Sequence, residues 1–248
     1  MRTLKLTLAY DGTNYAGFQR QTNGPSIQEA LETELAPFTS DPAGRGPTVS
    51  GAGRTDAGVH ALGQVASVNL ITDVSGSAIQ RALNAKLPAD IRVVGVVDAQ
   101  PGFHARYHAK GKSYRYRIAT TPVRSPFDRW FVWHVPGPRD VEAMRRAAAL
   151  LVGTHDFASF QSAGSVIRHT VRTLTRVEVR EAAGELVVEV DGTGFLRHMV
   201  RAIVGTLDEV GQGARPVASL RGVLAARDRA AAGPTAPAAG LTLVSVRY

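Results

Sequence analysis

The feature that most constrains this chain is a glycine-rich stretch at residues 50–66, SGAGRTDAGVHALGQVA. Its four glycines surround a single carboxylate, Asp56, with Arg54 and His60 close to it in sequence. Glycine permits positive φ angles and lets another molecule approach closely, whereas it weakens helices and strands. The stretch is therefore predicted to be a loop that presents Arg54 and Asp56, and the alternating residues 65–70 predict a strand that anchors it on a sheet.

The simplest interpretation of an aspartate in a glycine-rich turn is that it caps its own backbone. A dinucleotide-binding loop is excluded, because its fingerprint needs a glycine at the position that Asp56 occupies. The stretch also lacks the Gly-Lys-Ser/Thr of a P-loop and the several carboxylates of a calcium loop. A single carboxylate remains, with an arginine two residues before it.

The composition excludes several classes of protein. No apolar run is long enough to span a membrane, and residues 1–10 alternate and contain Lys5, so they lack the apolar block of a signal peptide. We therefore expect a cytoplasmic location. The chain has no cysteine, which excludes disulfides, thiolate zinc sites and cysteine nucleophiles.

The net charge of +8, from 29 basic and 21 acidic residues, predicts a polyanionic partner. Only four of the basic residues are lysines, and the planar guanidinium of arginine suits phosphate contacts and stacking on bases. A coding bias toward arginine would give the same count, so the charge favours a nucleic-acid partner without establishing one.

The hydrophobic pattern predicts two halves, residues 1–105 and 106–248, that follow about the same plan. The predicted elements of the first half are strands at 2–10, 65–70 and 91–97 and helices at 26–38 and 77–86. Ser26 and Glu29 have the spacing of a capping box at the start of the first helix. Those of the second half are strands at 113–118, 171–179, 185–190 and 241–248 and helices at 140–151, 196–210 and 220–229. Residues 182–184 are predicted to join a strand pair, and residues 230–239 are predicted to be a surface connection.

Each half resembles a split βαβ unit in the order of its elements. We therefore expect an α+β fold in which the two sheets lie side by side and their loops meet in a cleft. Such a cleft is a common place for a functional site.

Further motifs accompany the glycine-rich stretch along nearly the whole chain. They are Tyr10-Asp11-Gly12-Thr13, Gly17-Phe18-Gln19, Leu83-Asn84, Leu87-Pro88, Phe103-His104-Ala105-Arg106, Lys112 with Tyr114 and Tyr116, Asp156-Phe157, His198-Met199-Val200-Arg201 and Gly240-Leu241. With GAGRTDAGVHALGQVA, they resemble the motifs of the tRNA pseudouridine synthase A family. The resemblance implies a pseudouridine synthase fold, with two tandem ferredoxin-like halves forming an extended, mainly antiparallel sheet, helices on one face and a central cleft.

The resemblance also implies an isomerase that converts uridine to pseudouridine on the 3′ side of the anticodon stem-loop of tRNA, at positions 38, 39 and 40, and that works as a homodimer. The reaction breaks the bond between ribose C1′ and uracil N1 and rejoins the base through C5. Because no atom is gained or lost, we expect neither a redox cofactor nor ATP.

Asp56 is the expected nucleophile, because an ionised carboxylate can trap or stabilise an electron-poor sugar intermediate. A retaining glycosidase would need a second carboxylate nearby, and the loop supplies only one, which favours isomerisation over hydrolysis. The sequence leaves open which atom Asp56 attacks, or whether it takes a proton instead. A non-catalytic RNA-binding module and a nucleoside or glycoside hydrolase stay open as alternative functions.

The resemblance implies that Arg201 is the charge partner that keeps Asp56 ionised. The apolar residues around Arg201 also fit an arginine that only extends from a buried stripe to solvent. Tyr114 is expected to stack on the target uracil, since it matches the family's tyrosine, whereas Tyr116 is assigned to the core.

Arg54 resembles the arginine that enters the RNA helix and holds the flipped nucleotide out, with a phosphate contact as the alternative. Leu243 resembles a residue that lines the base pocket, and core packing of the last strand would explain it equally well. His104 and His108 are spaced as a metal pair, but no third ligand lies at a usable spacing, so we expect no metal and an RNA-facing or surface role.

Overall fold

The computed structural model describes residues 1–40, 44–165, 167–182 and 184–248. They form two compact units: the first unit is Met1–Lys110 with Leu243–Tyr248, and the second unit is Gly111–Thr242. Asp41–Ala43, in a predicted glycine- and proline-rich loop, and Ala183, in the predicted strand-joining turn, lie outside the described residues. The functional division into halves at residues 105 and 106 stays a prediction.

The first unit contains the glycine-rich loop. Its elements are β1 (Arg2–Tyr10), α1 (Ile27–Leu35), β2 (Ser50–Gly51), β3 (His60–Leu70), α2 (Gly76–Lys86), β4 (Ile91–Ala99) and most of β10 (Leu241–Arg247). Strand β1 lies between β3 and β4 and is antiparallel to both. Strands β3 and β4 are therefore parallel to each other, are joined through α2, and enclose an inserted strand, which is the predicted split βαβ unit.

Local sequence explains these elements. Leu4, Leu6 and Leu8 are fully buried while the residues between them are partly exposed, as the alternation of β1 predicts. Helix α1 begins where predicted, because Ser26 Oγ accepts a hydrogen bond from Glu29 N at 3.2 Å and so satisfies a free helix donor.

The second unit has a four-stranded antiparallel arrangement in the order β5, β9, β8, β7. Its elements are β5 (Gly111–Ala119), β6 (Trp133–His134), α3 (Val141–Ala149), β7 (Gly153–Asp156), β8 (Val171–Ala182), β9 (Glu185–Gly192), α4 (Met199–Gly211) and α5 (Ser219–Ala226). The predicted pairing of β8 with β9 is confirmed. Strands β5 and β8 flank β9 and are antiparallel to it, so this unit also contains a split arrangement of parallel strands.

The α+β class with mainly antiparallel strands is therefore confirmed. No helix in the described ranges is long and apolar enough to cross a membrane.

Several predicted boundaries were wrong, and two of them lie next to predicted site residues. Strand β3 begins at His60, five residues before the alternating run that predicted it. Helix α4 begins at Met199, three residues later than predicted, because His198 adopts a left-handed conformation with φ 61° that no α-helix continues.

The prediction that residues 230–239 form a surface connection was also wrong in part. Ala236 is buried, and Gly233 N donates to Thr206 Oγ1 of α4 at 2.9 Å. A Cβ on Gly205 would lie only 1.9 Å from Pro234 O, so α4 and this segment pack backbone against backbone. The alanine-rich composition suggested a loose connection, whereas small side chains here permit close packing.

Candidate active site

The glycine-rich stretch is a loop whose backbone is fixed on both sides of Asp56. Phe18 N donates to Thr55 O at 3.1 Å, Gly17 forms an antiparallel bridge with Asp56, and Val59 N donates to Asp56 O at 3.1 Å. Thr55 is buried and Asp56 half-buried, whereas Arg54 is exposed. The loop therefore holds the Asp56 backbone in one place and leaves part of its side chain accessible.

The glycines of this loop serve two different purposes. Gly58 adopts φ 74°, a left-handed conformation that side-chain-bearing residues disfavour. At Gly51 space is the constraint, since a Cβ would lie 2.4 Å from Cε1 of Phe18. A Cβ on Gly63 would likewise lie 2.5 Å from Val244 O. Glycine density thus reflects one special backbone conformation and two close approaches, one of them to the Gly17-Phe18-Gln19 motif.

A buried polar cluster lies beneath the loop. The hydroxyl of Tyr10 and Oγ1 of Thr55 are 2.8 Å apart, and Gln64 Nε2 donates to Gly53 O at 3.0 Å and to the Tyr10 hydroxyl at 3.4 Å. Burial raises the pKa of Tyr10 to about 12, although the hydrogen bonds with Thr55 and Gln64 act in the opposite direction. The cluster joins strands β1 and β3 to the loop residues on both sides of Arg54.

Sequence reasoning missed this cluster. The sequence pattern places Tyr10 at the end of an alternating strand and gives no role to Thr55 or Gln64. The available signal was Gln64, directly before the alternating run at residues 65–70, since a buried amide must find hydrogen-bond partners.

His60 connects the end of the loop to another motif. Its ring is almost fully buried, and Nδ1 lies 3.1 Å from Gly12 N and 3.1 Å from Asp11 Oδ1. The Tyr10-Asp11-Gly12-Thr13 motif therefore lies next to the glycine-rich loop in the fold. The order of the motifs along the chain does not reveal this contact.

In the second unit, Tyr114 and Tyr116 differ in their surroundings. The Tyr114 ring meets the Phe195 ring edge to face, with centroids 4.9 Å apart and an interplanar angle of 75°. Tyr116 is fully buried and its hydroxyl donates to Pro237 O at 2.7 Å, so its assignment to the core is confirmed. Sequence reasoning did not identify Phe195, which orients the Tyr114 ring.

Arg201 lies in the first turn of α4 and is fixed by Ala236. Arg201 Nε donates to Ala236 O at 2.7 Å, and Ala236 N donates back to Arg201 O at 3.1 Å. Burial raises the pKa of Tyr116, and the positive charge of Arg201 opposes that rise, so the guanidinium acts electrostatically on this phenol. An arginine held in this way is more ordered than one that only extends to solvent.

The remaining predicted residues have simpler settings. Leu243 is fully buried, as core packing of the last strand predicts, and its part in a base pocket stays a prediction. His104 Nδ1 accepts from Arg106 N, and His108 Nδ1 accepts from His104 N, so both rings take part in local hydrogen bonds. Within the described ranges, no group of three or more His, Asp or Glu side chains is arranged to hold a metal ion.

The structure thus places the predicted site residues in two sets. Asp56 and Arg54 share the glycine-rich loop of the first unit. Leu243 also belongs to the first unit, in strand β10. Tyr114 and Arg201 belong to the second unit. The assembly of both sets into one active site stays a prediction.

Comparison with known proteins gives the chain a family. A family model described as tRNA pseudouridine synthase matches residues 7–108 and 147–248. The tRNA pseudouridine synthase A of Myxococcus xanthus is 47% identical over 100% of this chain and 92% of its own length. The protein of the same name from Geobacter sulfurreducens is 47% identical over 100% of both chains. A chain of the solved Cbf5-Nop10-Gar1 complex is 12% identical, covers 97% of this chain and 48% of its own, and has a TM-score of 0.36, too low to carry an argument.

Proposed function

The chain belongs to the tRNA pseudouridine synthase family, and from that premise we propose that Asp56 is its catalytic nucleophile and that its target lies in the anticodon stem-loop. The protein is an isomerase that converts uridine to pseudouridine in tRNA. One observation supports the role of Asp56: its backbone is fixed by Gly17 and Val59, while the residue stays half-exposed two positions after the exposed Arg54. Such a carboxylate is oriented before substrate arrives, as a nucleophile must be.

The proposed chemistry balances without a cofactor. The C1′–N1 bond breaks and its electron pair leaves with the uracil, while the carboxylate of Asp56 attacks as the nucleophile and forms a bond to the nucleotide. That bond breaks again before the product leaves, and its electron pair returns to the carboxylate. After the base turns, C5 bonds to C1′, the hydrogen on C5 leaves as a proton, and N1 gains a proton. No oxidant, reductant or nucleotide triphosphate is consumed.

We assign supporting roles to the other predicted residues. Arg201 keeps Asp56 ionised, and the clamp that Ala236 forms on its Nε supports this role by ordering the guanidinium. Tyr114 stacks on the target uracil, with Phe195 orienting its ring. Arg54 fills the place of the flipped nucleotide.

Four finer statements belong to the same proposal. Leu243 borders the base, the target uridines are those at positions 38, 39 and 40, and a homodimer binds the tRNA. Because the substrate is tRNA, we also place the protein in the cytoplasm.

The test is a tritium-release assay with tRNA that carries tritium at uridine C5. The wild-type protein is expected to release tritium to water and leave the RNA chain intact. Asp56→Asn, which keeps the size of the side chain and removes its charge, and Asp56→Ala are both expected to release none. The affinity of either variant for tRNA should stay within about tenfold of wild type, which corresponds to about 1.4 kcal/mol.

The same assay separates the alternatives. A hydrolase would leave abasic positions and free uracil, and a binding module would do neither and would be indifferent to Asp56→Asn. Loss of tRNA binding in both Asp56 variants would contradict the catalytic assignment, because a nucleophile contributes to turnover more than to affinity. Restriction of the product to the anticodon stem-loop is checked by mapping pseudouridines in bulk tRNA.

A further inference from the structure

A turn at residues 104–108 of the first unit has no role in the function proposed so far. It is attached to the sheet through Ala105, which is fully buried. Ala105 N donates to Ser67 Oγ of β3 at 3.1 Å, and Ala105 O accepts from the Tyr248 hydroxyl at 2.7 Å. The backbone N–H of Ala105 is thus bound by strand β3, and its carbonyl oxygen is bound by Tyr248.

The side chains around the turn make it rigid. Phe103 stacks on His108, with ring centroids 5.7 Å apart, and packs on Tyr248 at 5.2 Å. Lys5 Nζ lies 4.3 Å from the centroid of the Tyr248 ring, a cation–π contact. Since every ring in this group contacts another, the residues that the turn exposes are held on a firm base.

The turn exposes a tyrosine and an arginine. Tyr107 is 75% exposed, and its ring centroid lies 4.3 Å from that of His104, which supports it. Arg106 is exposed and makes no ion pair within the described ranges. No aspartate or glutamate occurs from residue 99 to 127, so the segment has no acidic residue of its own to offset Arg106.

The position of the turn connects it to the catalytic loop. Ala105 belongs to one small buried cluster with Ala52 and Val65, against which Phe103 and Tyr248 also pack. Ala52 precedes Asp56 by four residues, and four residues span at most about 14 Å. The turn and the proposed nucleophile are therefore features of the same region of the first unit.

We propose that this turn is a tRNA-contact surface, on which Tyr107 stacks against an unpaired nucleotide near the target uridine and Arg106 contacts a phosphate. The inference rests on the proposed function. An exposed aromatic ring on a rigid base loses little entropy when it binds, and every nucleobase offers a face for stacking. An arginine without a carboxylate partner offers its guanidinium to phosphate.

The test measures tRNA affinity at several salt concentrations for Tyr107→Ala, Tyr107→Phe and Arg106→Ala, with tritium release measured in parallel. Tyr107→Ala is expected to weaken binding between about fivefold and a hundredfold, the usual range for loss of one stacked base, without changing the salt slope. Tyr107→Phe keeps the ring and should bind as wild type does. Arg106→Ala should reduce the slope of log Kd against log salt by about one.

Matched controls come from the second unit. Phe127 is 89% exposed, so Phe127→Ala removes an exposed ring elsewhere, and Arg221→Ala removes an exposed arginine on α5. Both controls should bind tRNA as wild type does. Wild-type affinity in Tyr107→Ala with normal tritium release would overturn this inference and leave the proposed function intact, whereas absence of release from the wild type would overturn the function itself. A change of oligomeric state in Tyr107→Ala would also overturn the inference, because it would assign the turn to contact between copies of the chain.

Discussion

The glycine-rich loop of the first unit and the sheet of the second unit hold their polar side chains in different ways. Beneath the glycine-rich loop of the first unit, Tyr10, Thr55 and Gln64 form neutral hydrogen bonds, and Arg54 makes no ion pair within the described residues. The β5–β9–β8 sheet of the second unit is the opposite case. There Glu189 is nearly buried and forms ion pairs of 2.8 to 2.9 Å, with Arg115, Arg176 and Arg180.

The difference shows why the arginine count alone predicts so little. In the second unit, Arg176 also pairs with Asp191 at 2.9 Å, so its charge is offset within the fold. In the first unit, Arg54 and Arg106 extend from fixed loops and stay available to an anionic partner. The net charge of +8 therefore combines arginines that are paired within the fold with arginines that make no ion pair within the described residues.

The largest loss of stability is expected at the Arg139–Asp208 ion pair, because it is deeply buried. Arg139 Nε donates to Asp208 Oδ1 at 2.7 Å, and both side chains are about 5% exposed. Asp208→Ala leaves the guanidinium buried without its partner, so the free energy of unfolding should fall by about 3–5 kcal/mol in denaturant titrations. Glu142→Ala, which removes the exposed partner of Arg145, is the control and should cost less than about 0.5 kcal/mol. Equal losses in the two variants would contradict the role of burial.

The neutral cluster of the first unit should affect turnover as well as stability. Tyr10→Phe removes the hydroxyl shared by Thr55 and Gln64, so we expect a loss of about 1–3 kcal/mol in unfolding free energy. Because the same hydroxyl positions the loop that carries Asp56, kcat should also fall about tenfold with little change in tRNA affinity. Tyr15→Phe, which removes a hydrogen bond of 2.7 Å to Asp90, is the control for stability loss without a kcat effect. A similar fall in kcat in both variants would contradict the positioning role of Tyr10, because general destabilisation would then explain the fall.

The ion pairs of the second unit predict a pH dependence. Burial raises the pKa of Glu189, but the hydrogen bond from Arg115 and the charges of Arg180 and Arg176 outweigh it and hold the pKa below its ordinary value. A carboxylate with a lowered folded-state pKa contributes stability above its unfolded pKa, about 4.3, and loses that contribution as the pH falls through the folded value. Glu189→Gln should therefore cost about 1 kcal/mol at pH 7, and the difference from wild type should shrink on acidification below about pH 4. A difference that stays constant down to pH 2 would contradict the assignment.

The elements that the sequence predicted well depend on short-range periodicity. Strand β1 and helix α1 follow from alternating leucines and from Ser26, since both signals lie within a few residues. The start of α4 could not be predicted, because it depends on the left-handed conformation of His198, which apolar spacing does not encode.

The candidate site divides in the same way. Glycine density and motif pattern pointed to Asp56 and Arg54, which lie two positions apart in the chain. The residues that hold them required the fold, because Tyr10 is 45 positions from Thr55 and 54 from Gln64. The clamp of Ala236 on Arg201 joins residues 35 positions apart, within a segment whose composition resembles a loose connection.

Arg54→Ala is expected to change stability least, and it tests most directly whether unpaired and paired arginines differ. Arg54→Ala should leave the free energy of unfolding within about 0.5 kcal/mol of wild type, because an exposed side chain is removed. It should reduce the slope of log Kd for tRNA against log salt by up to about one, since one positive charge that would lie against the RNA is lost. Arg176→Ala is the reverse case: it should cost up to about 1 kcal/mol in stability and leave the salt slope unchanged, because Glu189 and Asp191 already offset its charge. If Arg176→Ala lowered the salt slope as much as Arg54→Ala does, the paired arginines would also face RNA, and the distinction between these two regions would fail.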